Sequence, residues 1–427
     1  MFNHFNAGEQ TILVHIWFSQ SKTPEDLEEF KTLAASACLP SSLVITGRRK
    51  APHPKYFVGE GKALEIADAV KMQKVSVVLF NHALTATQER NLERLCSCRI
   101  MDRTGLILYI FAQRARSNEG KLQVELAQLT YFMSRLVRGW THLERQKGGI
   151  GLRGGPGETQ IEIDRRLLRN RMDHILRRLE RVEKQRTQSR QVRNKADVPT
   201  LSLVGYTNSG KSSLFNALTS DNVYTADQLF ATLDPMLHRL DVANVGKVVI
   251  ADTVGFIRDL PLELIVAFKA TLKEISQSML LLHIVDSVDP RLNDKIQQVN
   301  KILAEIKADK IPMLLIMNKI DLFKNCEARI DRDERNKPIC VWLSARTGIG
   351  LPLLFQALSE HLVSEKTKYN LCLPPQLGYL RSYFYALQAI DTEWVKEDGS
   401  MILQIRIPVV EWLRLCKQEP LLNSYLI

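Results

Sequence analysis

The sequence predicts an α/β protein in which two α/β segments are separated by a helical segment. Short apolar runs alternate with helical patterns in residues 1–118 and again in residues 198–365, as in chains that form mainly parallel sheets. Residues 119–196 instead carry apolar residues at alternating spacings of four and three, which is typical of paired helices. Residues 370–427 predict a small C-terminal α+β extension with a hairpin turn at Asp398-Gly399.

Residues 1–118 predict an N-terminal α/β domain with a mainly parallel sheet. A capping threonine, a proline and two acids at residues 23–26 form a good helix start. The predicted strands are 11–18, 42–46, 75–80 and 105–111, and the predicted helices are 24–37, 61–71 and 85–95.

Residues 119–196 predict a helical hairpin linker with a glycine-rich, basic tip. Residues 147–157 hold six glycines and one proline, a density that interrupts any helix. The apolar seams on either side of this tip are Leu122, Leu126, Leu129, Met133 and Leu136, and Leu168, Met172, Ile175, Leu179 and Val182.

The positive charge of the chain is concentrated in this hairpin. The whole chain has 58 Lys and Arg against 47 Asp and Glu, whereas residues 135–195 alone have 17 against 7. Such a surplus is typical of a surface that binds nucleic acid, and a solvated, ion-paired helix is the alternative. The glycine-rich tip would then contact RNA. The alternative is that the tip is a flexible connector and that Trp140 is simply packed. The candidate RNA contacts are Arg138, Trp140, Arg145, Lys147 and Arg153.

Composition argues against several classes of protein. No apolar stretch approaches the roughly 20 residues that span a bilayer, and the N-terminus lacks the basic and apolar regions of a signal peptide. The seven cysteines include no CxxC pair, and an odd number at low density is typical of a reducing compartment. We therefore expect a cytoplasmic protein without a membrane span. As a separate expectation, the protein acts as a monomer.

Residues 205–212 predict a phosphate-binding loop. The apolar run 200–204 leads into Gly205-Tyr-Thr-Asn-Ser-Gly-Lys-Ser212, which meets the pattern GxxxxGK[ST], and a helical pattern follows. In such a loop, successive backbone N–H groups and the start of the helix surround phosphate oxygens. Lys211 would supply positive charge to the β- and γ-phosphates, and the Ser212 hydroxyl would be a ligand of Mg²⁺.

Two further motifs predict contacts to Mg²⁺ and to the γ-phosphate. An apolar strand ends in Asp252-Thr-Val-Gly255, where Asp252 would hold Mg²⁺ through water and the Gly255 N–H would meet the γ-phosphate. Thr232, in the loop segment Phe230–Asp234, is the natural second Mg²⁺ ligand. The predicted catalytic groups are therefore Lys211, Thr232 and Gly255.

The last two motifs predict the choice of base. A second apolar strand ends in Asn318-Lys-Ile-Asp321, and the Asp321 carboxylate can accept hydrogen bonds from guanine N1–H and N2–H₂. Adenine lacks this pair of donors, so the motif predicts GTP rather than ATP and disfavours a P-loop kinase of a small metabolite. The backbone of Ser344-Ala-Arg346 follows a third strand and can donate to guanine O6.

Together, the five motifs predict a site for GTP and GDP in a P-loop GTPase domain, because each lies in a loop or at a strand end. The predicted nucleotide-binding residues are Gly205, Tyr206, Thr207, Asn208, Ser209, Gly210, Lys211, Ser212, Phe230, Ala231, Thr232, Leu233, Asp234, Asp252, Thr253, Val254, Gly255, Asn318, Lys319, Ile320, Asp321, Ser344, Ala345 and Arg346.

This set of motifs resembles that of the translation-factor-related GTPases, and the helical segment narrows the resemblance. Arg114-Ala-Arg116, residues 120–129, residues 138–160 and Phe230-Ala-Thr-Leu-Asp234 look like the HflX family of bacterial GTPases. The resemblance covers roughly residues 10–365. Ser344-Ala-Arg346 departs from the commoner Ser-Ala-Lys, a change that should leave the backbone contact intact.

The resemblance implies an N-terminal α/β domain, a helical linker, a GTPase domain and a variable C-terminal extension. It also implies Mg²⁺-dependent GTP hydrolysis in the cytoplasm and association with the large (50S) ribosomal subunit and its RNA. The implied roles are in translation, in rescue or splitting of stalled ribosomes, or in ribosome biogenesis. The alternative function is that of a nucleotide-regulated RNA-binding or remodelling protein in which GTP hydrolysis is secondary.

Two positions bear on the rate of hydrolysis. Many small GTPases place a glutamine after Asp-x-x-Gly to orient the attacking water, whereas this chain has Phe256 there, so we expect slow turnover and activation by a partner. In related GTPases an asparagine at the place of Asn208 helps to bind a monovalent cation, which makes K⁺ a candidate cofactor. A local turn hydrogen bond of Asn208 is the alternative.

Overall fold

The computed structural model describes most of the chain and shows four packed units. No helix among the described residues is long and apolar enough to cross a bilayer. The described residues are 10–18, 25–136, 160–195, 198–219, 229–230, 236–243, 245–257, 275–324, 326–362, 366–387, 389–396, 399–408, 412, 415–416, 419, 422 and 425–426.

The N-terminal domain is a parallel sheet with helices on both faces. Its strands are β1 (Thr11–Phe18), β2 (Ser41–Arg49), β3 (Val77–Phe80) and β4 (Arg99–Met101), and its helices are α1 (Glu25–Ser36), α2 (Glu60–Gln73), α3 (Ala86–Cys96) and α4 (Arg103–Arg114). The strand order is β2-β1-β3-β4, and every pair is parallel. Since successive side chains of a strand face opposite sides, Ile12 and Val14 pack with α2 and α3, and Leu13 packs with α1 and α4.

The structure confirms most of the elements that the sequence predicts here, but the strand predicted at 105–111 is wrong. These residues lie in α4, whose first turn is capped by the Asp102 carboxylate accepting from the Gly105 N–H over 2.8 Å. Residues 105–111 are all buried, so the run shows no helical period, and pattern alone cannot separate a buried helix from a buried strand.

The linker forms the predicted helical hairpin. Its two helices are α5 (Asn118–Leu136) and α6 (Gln160–Lys195). Leu122, Leu126 and Ile175 form a buried cluster between them, flanked by further seam residues, which confirms the pairing of the two seams. The predicted tip, with all five candidate RNA contacts, lies outside the described residues.

A buried carboxylate joins this hairpin to the N-terminal domain. Asp102, 1% exposed, accepts hydrogen bonds from the Tyr131 hydroxyl over 2.8 Å and from the Arg135 guanidinium over 2.6 Å. Both donors lie on α5, so the same side chain that begins α4 also fixes the hairpin against it.

The second α/β domain contains a mixed, seven-stranded sheet. Its strands are β5 (Thr200–Gly205), β6 (Met236–Val242), β7 (Gly246–Asp252), β8 (Leu280–Asp286), β9 (Met313–Asn318), β10 (Arg329–Arg332) and β11 (Pro338–Trp342), and its described helices of eight or more residues are α7 (Lys211–Thr219), α8 (Leu292–Glu305) and α9 (Leu351–Leu362). The strand order is β10-β11-β9-β8-β5-β7-β6, with β6 and β10 antiparallel at the two edges. Between these edges the strands run parallel, so the predicted motifs meet at one end of the sheet.

The C-terminal extension is a small antiparallel sheet covered by a helix. Its elements are β12 (Lys366–Leu373), α10 (Gly378–Ala386), β13 (Ile390–Val395) and β14 (Met401–Pro408). The strand order is β12-β14-β13, and Leu380 and Phe384 of α10 pack on Leu403 and Ile405 of β14. The sequence pattern also predicts a helix over 409–417, most of which lies outside the described residues.

The two α/β domains share one hydrophobic core. The ring of Phe230, from the second domain, meets that of Phe111 on α4 edge to face at 4.6 Å, and the Leu229 N–H donates to Ser36 Oγ over 3.0 Å. Phe256 belongs to the same cluster and is 2% exposed. The N-terminal domain therefore contacts two loop segments that the sequence assigns to the nucleotide site.

Candidate nucleotide-binding site

The predicted phosphate-binding loop connects β5 to α7 and is built on close backbone approaches. Gly205 has φ +153° and Gly210 has φ +95°. A Cβ at Gly205 would lie 2.3 Å from the Ile284 carbonyl oxygen, and one at Gly210 would lie 2.1 Å from the Asn318 side-chain nitrogen. Both positions therefore require glycine, because a side chain would push apart the strands or loops that the site depends on.

Lys211, the first residue of α7, is buried within this loop. Its ammonium group donates to the Tyr206 carbonyl over 2.7 Å and to the Gly205 carbonyl over 3.2 Å. Burial lowers the pKa of Lys211 from 10.5 to about 8, and the nearby Asp252 carboxylate partly opposes this shift. A phosphate oxygen in the loop would favour the charged form of this lysine.

The segment from Asp252 to Gly255 lies directly against the loop. The Ser212 hydroxyl donates to Asp252 Oδ2 over 2.9 Å, and Asp252 has no solvent exposure. A Cβ at Gly255 would lie 3.1 Å from both the Lys211 ammonium and Thr207 Cα, so this glycine lets its own backbone approach the loop. The structure thus brings together four of the residues that the sequence assigns to phosphate and Mg²⁺.

The base-recognition motifs are joined to the phosphate loop by one side-chain amide. Asn318 donates from Nδ2 to the Ser209 carbonyl over 2.9 Å, and its Oδ1 accepts from the Ala345 N–H over 2.9 Å. The Ser344 hydroxyl donates to Asp321 Oδ1 over 2.5 Å and thereby orients the carboxylate. Because Ala345 N–H already serves Asn318, the predicted donation of this segment to guanine O6 stays a prediction.

Several predicted site residues are not brought to this place or are not described. Phe230 lies in the core shared with the N-terminal domain, and Ala231, Thr232, Leu233 and Asp234 lie outside the described residues.

Asn208 has φ +60°, a backbone conformation that asparagine tolerates better than most residues. Phe256 is buried, and its ring can neither donate to nor accept from water.

Two residues that contact or flank the loop, Glu29 and His283, belong to no sequence motif. The Tyr206 hydroxyl donates to Glu29 of α1, a contact between residues 177 positions apart that no local motif could reveal. His283, on β8, is 1% exposed, and burial, reinforced by the charge of Lys211, lowers its pKa to about 4, so it is neutral at pH 7. A histidine inside an apolar strand was the only available signal for it.

The fold and this site define the chain as a P-loop GTPase, a hydrolase acting on GTP. Family models match three successive parts: "GTP-binding GTPase N-terminal" at residues 24–112, "GTP-binding GTPase Middle Region" at 114–193, and "50S ribosome-binding GTPase" at 200–319.

Curated relatives then identify the family. The chain is 67% identical to the GTPase HflX of Escherichia coli K12 over 427 residues, which is 100% of both chains. It is 43% identical to the GTPase HflX of Magnetococcus marinus over 357 residues, 84% of this chain and 82% of that one. The chain belongs to the HflX GTPase family, which confirms the resemblance. A GTP-binding protein from Sulfolobus solfataricus, solved in complex with GDP, is 24% identical with a TM-score of 0.44, over 83% of this chain and 98% of that one.

Replacing Gly210 by alanine should move the phosphate loop away from the loops that carry the base-recognition motifs. The new Cβ would displace the Asn318 amide, and a positive φ adds strain, so we expect the Kd for GDP to rise at least about a hundredfold. Gly61→Ala is the control, since Gly61 lies within α2 and no atom lies within 4 Å of its Cβ position. Calorimetric titration with GDP measures both variants, and unchanged affinity in Gly210→Ala would contradict the assignment.

The pKa of Lys211 predicts a pH-dependent affinity. Below pH 8 the lysine of the free protein already carries its proton, whereas above pH 8 binding of a phosphate must take up a proton. We therefore expect the association constant for GDP to be flat near pH 7 and to fall by up to about tenfold per pH unit above pH 8. Calorimetry in buffers of different ionisation enthalpy measures the proton uptake.

Lys211→Arg is the control for this effect, because a guanidinium keeps its charge throughout this range. Whatever its absolute affinity, this variant should lose the pH dependence between about pH 7 and 9. An equal pH dependence in both proteins would assign the proton to another group.

Proposed function

We propose that this chain is a Mg²⁺-dependent GTPase that binds the large ribosomal subunit and acts in translation, in ribosome rescue or splitting or in ribosome biogenesis. The observation that supports the nucleotide site is a set of hydrogen bonds of 2.7–2.9 Å within or to the loop 205–212. They involve the side chains of Lys211, Asp252 and Asn318. The description of the matching family model and the basic charge of residues 135–195 support a ribosomal partner.

The residues of this site fit a magnesium ion. The Ser212 hydroxyl and the Asp252 carboxylate lie 2.9 Å apart, and oxygen ligands of this kind are those that Mg²⁺ prefers. We propose Ser212 and Thr232 as ligands and Asp252 as a partner through water. When bound, the ion would neutralise charge on the β- and γ-phosphate oxygens.

The remaining groups would bind and orient GTP. Lys211 would exchange its two carbonyl contacts for phosphate oxygens, and the Gly255 N–H would donate to the γ-phosphate. Asp321, held by Ser344, would accept from the guanine ring and reject adenine. These roles divide the site into a phosphate end and a base end that Asn318 holds together.

The buried ring of Phe256 supports slow hydrolysis by the chain alone. No polar side chain occupies the position from which many GTPases orient water, so a partner would have to order the loops or supply a group. We therefore propose that GTP favours binding to the large subunit and that the subunit stimulates hydrolysis. Stimulation in such enzymes reaches about 10³- to 10⁵-fold where a partner supplies the missing group.

Sedimentation with purified large subunits tests this function. We expect binding to be strongest with a non-hydrolysable GTP analogue and weaker with GDP or without nucleotide. The association constant should fall steeply with salt, because basic groups displace counterions from RNA. The turnover of GTP by the same preparation should rise when subunits are added.

Lys211→Ala is the matched variant for the nucleotide. It should lose the difference between the nucleotide states. Binding and cellular function that persist unchanged in this variant would instead support the alternative, an RNA-binding protein in which hydrolysis is secondary. Equal hydrolysis with and without subunits would contradict activation by the ribosome.

We further propose that Asn208 helps to bind K⁺ beside the phosphates. Asn208 lies exposed on the loop and has a left-handed backbone with φ +60°. Exchange of K⁺ for Na⁺ at constant ionic strength should then lower the rate of GTP hydrolysis, and Asn208→Ala should remove the difference. An identical rate in the two salts would leave Asn208 with a turn hydrogen bond only.

A further inference from the structure

The Tyr206 side chain, in the second position of the phosphate loop, reaches out of its own domain. Its hydroxyl donates to Glu29 Oε2 over 2.7 Å, and Glu29 lies on α1 of the N-terminal domain. Tyr206 is 5% exposed and the Glu29 side chain is 10% exposed. The hydrogen bond is therefore largely shielded from water. A hydrogen bond to a charged group is stronger in such a place than at the surface.

Glu29 is itself held by the N-terminal domain. Its Oε1 accepts from the Arg103 guanidinium over 2.5 Å, and the Arg103 side chain is also only 10% exposed. Arg103 donates in turn to Asn81 Oδ1 over 2.7 Å, and the Asn81 amide contacts His15 Nδ1 at 2.9 Å. Arg103 lies on α4, Asn81 directly follows β3 and His15 lies on β1. The carboxylate is therefore fixed by the framework of the domain.

The Tyr206 backbone lies among the groups that we propose to contact phosphate. Its carbonyl accepts from the Lys211 ammonium over 2.7 Å. On either side, the Phe256 N–H donates to Gly205 O over 3.1 Å, and the Thr207 N–H donates to Phe256 O over 2.8 Å. A rotation of Tyr206 would therefore move both Lys211 and the segment that follows Asp-x-x-Gly.

We propose that Glu29 is a positioning residue of the nucleotide site: through the Tyr206 hydroxyl it holds the phosphate loop in the conformation that binds the phosphates of GTP. The nucleotide site of this chain is thus completed by a side chain from outside the domain that carries all its motifs. This inference rests on the proposed role of the phosphate loop. It assigns Glu29 no contact with the nucleotide itself.

A double-mutant cycle on the full chain tests the inference. The variants are Tyr206→Phe, Glu29→Gln and the two together, and the measurements are the Kd for GDP and for a non-hydrolysable GTP analogue, kcat and KM for GTP, and the Tm without nucleotide. We expect each single variant to raise the Kd for GDP about tenfold, as suits a buried hydrogen bond to a charged group. The double variant should bind GDP no more weakly than the weaker-binding single variant. Tyr206→Phe removes the hydrogen bond and Glu29→Gln removes the negative charge that strengthens it, so both changes act on one contact.

Tyr385→Phe is the matched control. It removes a tyrosine hydroxyl that donates to Glu393 over 2.8 Å, in the C-terminal extension. This pair has the same chemistry and nearly the same length as the Tyr206 pair, but Tyr385 is 48% exposed and lies in another unit of the chain. Its loss should therefore leave the Kd, kcat and KM unchanged. A comparable change of affinity in the control would show that the measurements report general destabilisation.

Two outcomes would show that the contact only docks the domains on each other. A lower Tm with unchanged Kd, kcat and KM in both single variants would overturn the proposal, and so would additive effects in the double variant. Where Glu29→Gln does not fold, Tyr206→Phe alone decides, since it keeps the ring and its packing. Failure of the proposed function would look different, because the unaltered chain would then bind no guanine nucleotide.

Discussion

The site depends on the two hydrogen bonds of a single amide, that of Asn318. Its nitrogen holds the phosphate loop through the Ser209 carbonyl, and its oxygen holds the loop after β11 through the Ala345 N–H. The amide comes this close because Gly210 has no side chain. This bridge therefore holds in one arrangement the loop that we propose to bind phosphate and the loop that we propose to contact the base.

The second constraint is that this surface does not lie within one domain. Phe230 and Phe256 are buried with residues of α4 and its neighbours, and Tyr206 ends on Glu29 of α1. The N-terminal domain thus covers these side chains beside the nucleotide loops and shields them from solvent. A change in how these loops are ordered would therefore also change the packing between the domains, because interiors deform little without loss of contacts.

A buried carboxylate holds the helical hairpin against the N-terminal domain. Asp102 caps α4 and accepts from two side chains of α5, so the hairpin is fixed to the N-terminal domain at a buried carboxylate. Removal of either partner in such a network costs more than a surface ion pair, since the other group stays buried and unsatisfied. The basic hairpin is thus attached to the same framework that holds Glu29, although by different residues.

The sequence by itself determined the class of fold and the chemistry of the motifs. The phosphate loop and the Asn318–Asp321 segment are local patterns whose spacing is set by backbone hydrogen bonding to phosphate and by the shape of guanine. The seams of α5 and α6 were equally readable, because helical periodicity is local. The buried run at 105–111 was misread as a strand for the opposite reason, since a fully buried run carries no period.

Only the tertiary structure decided which distant side chains complete the site. Glu29 and Tyr206 are 177 positions apart, and no sequence pattern contains both. The same holds for Phe230 on Phe111, whose contact follows from how the two domains are placed. Local sequence encodes groups that act through their neighbours in the chain, whereas contacts across a shared core exist only once the domains have packed.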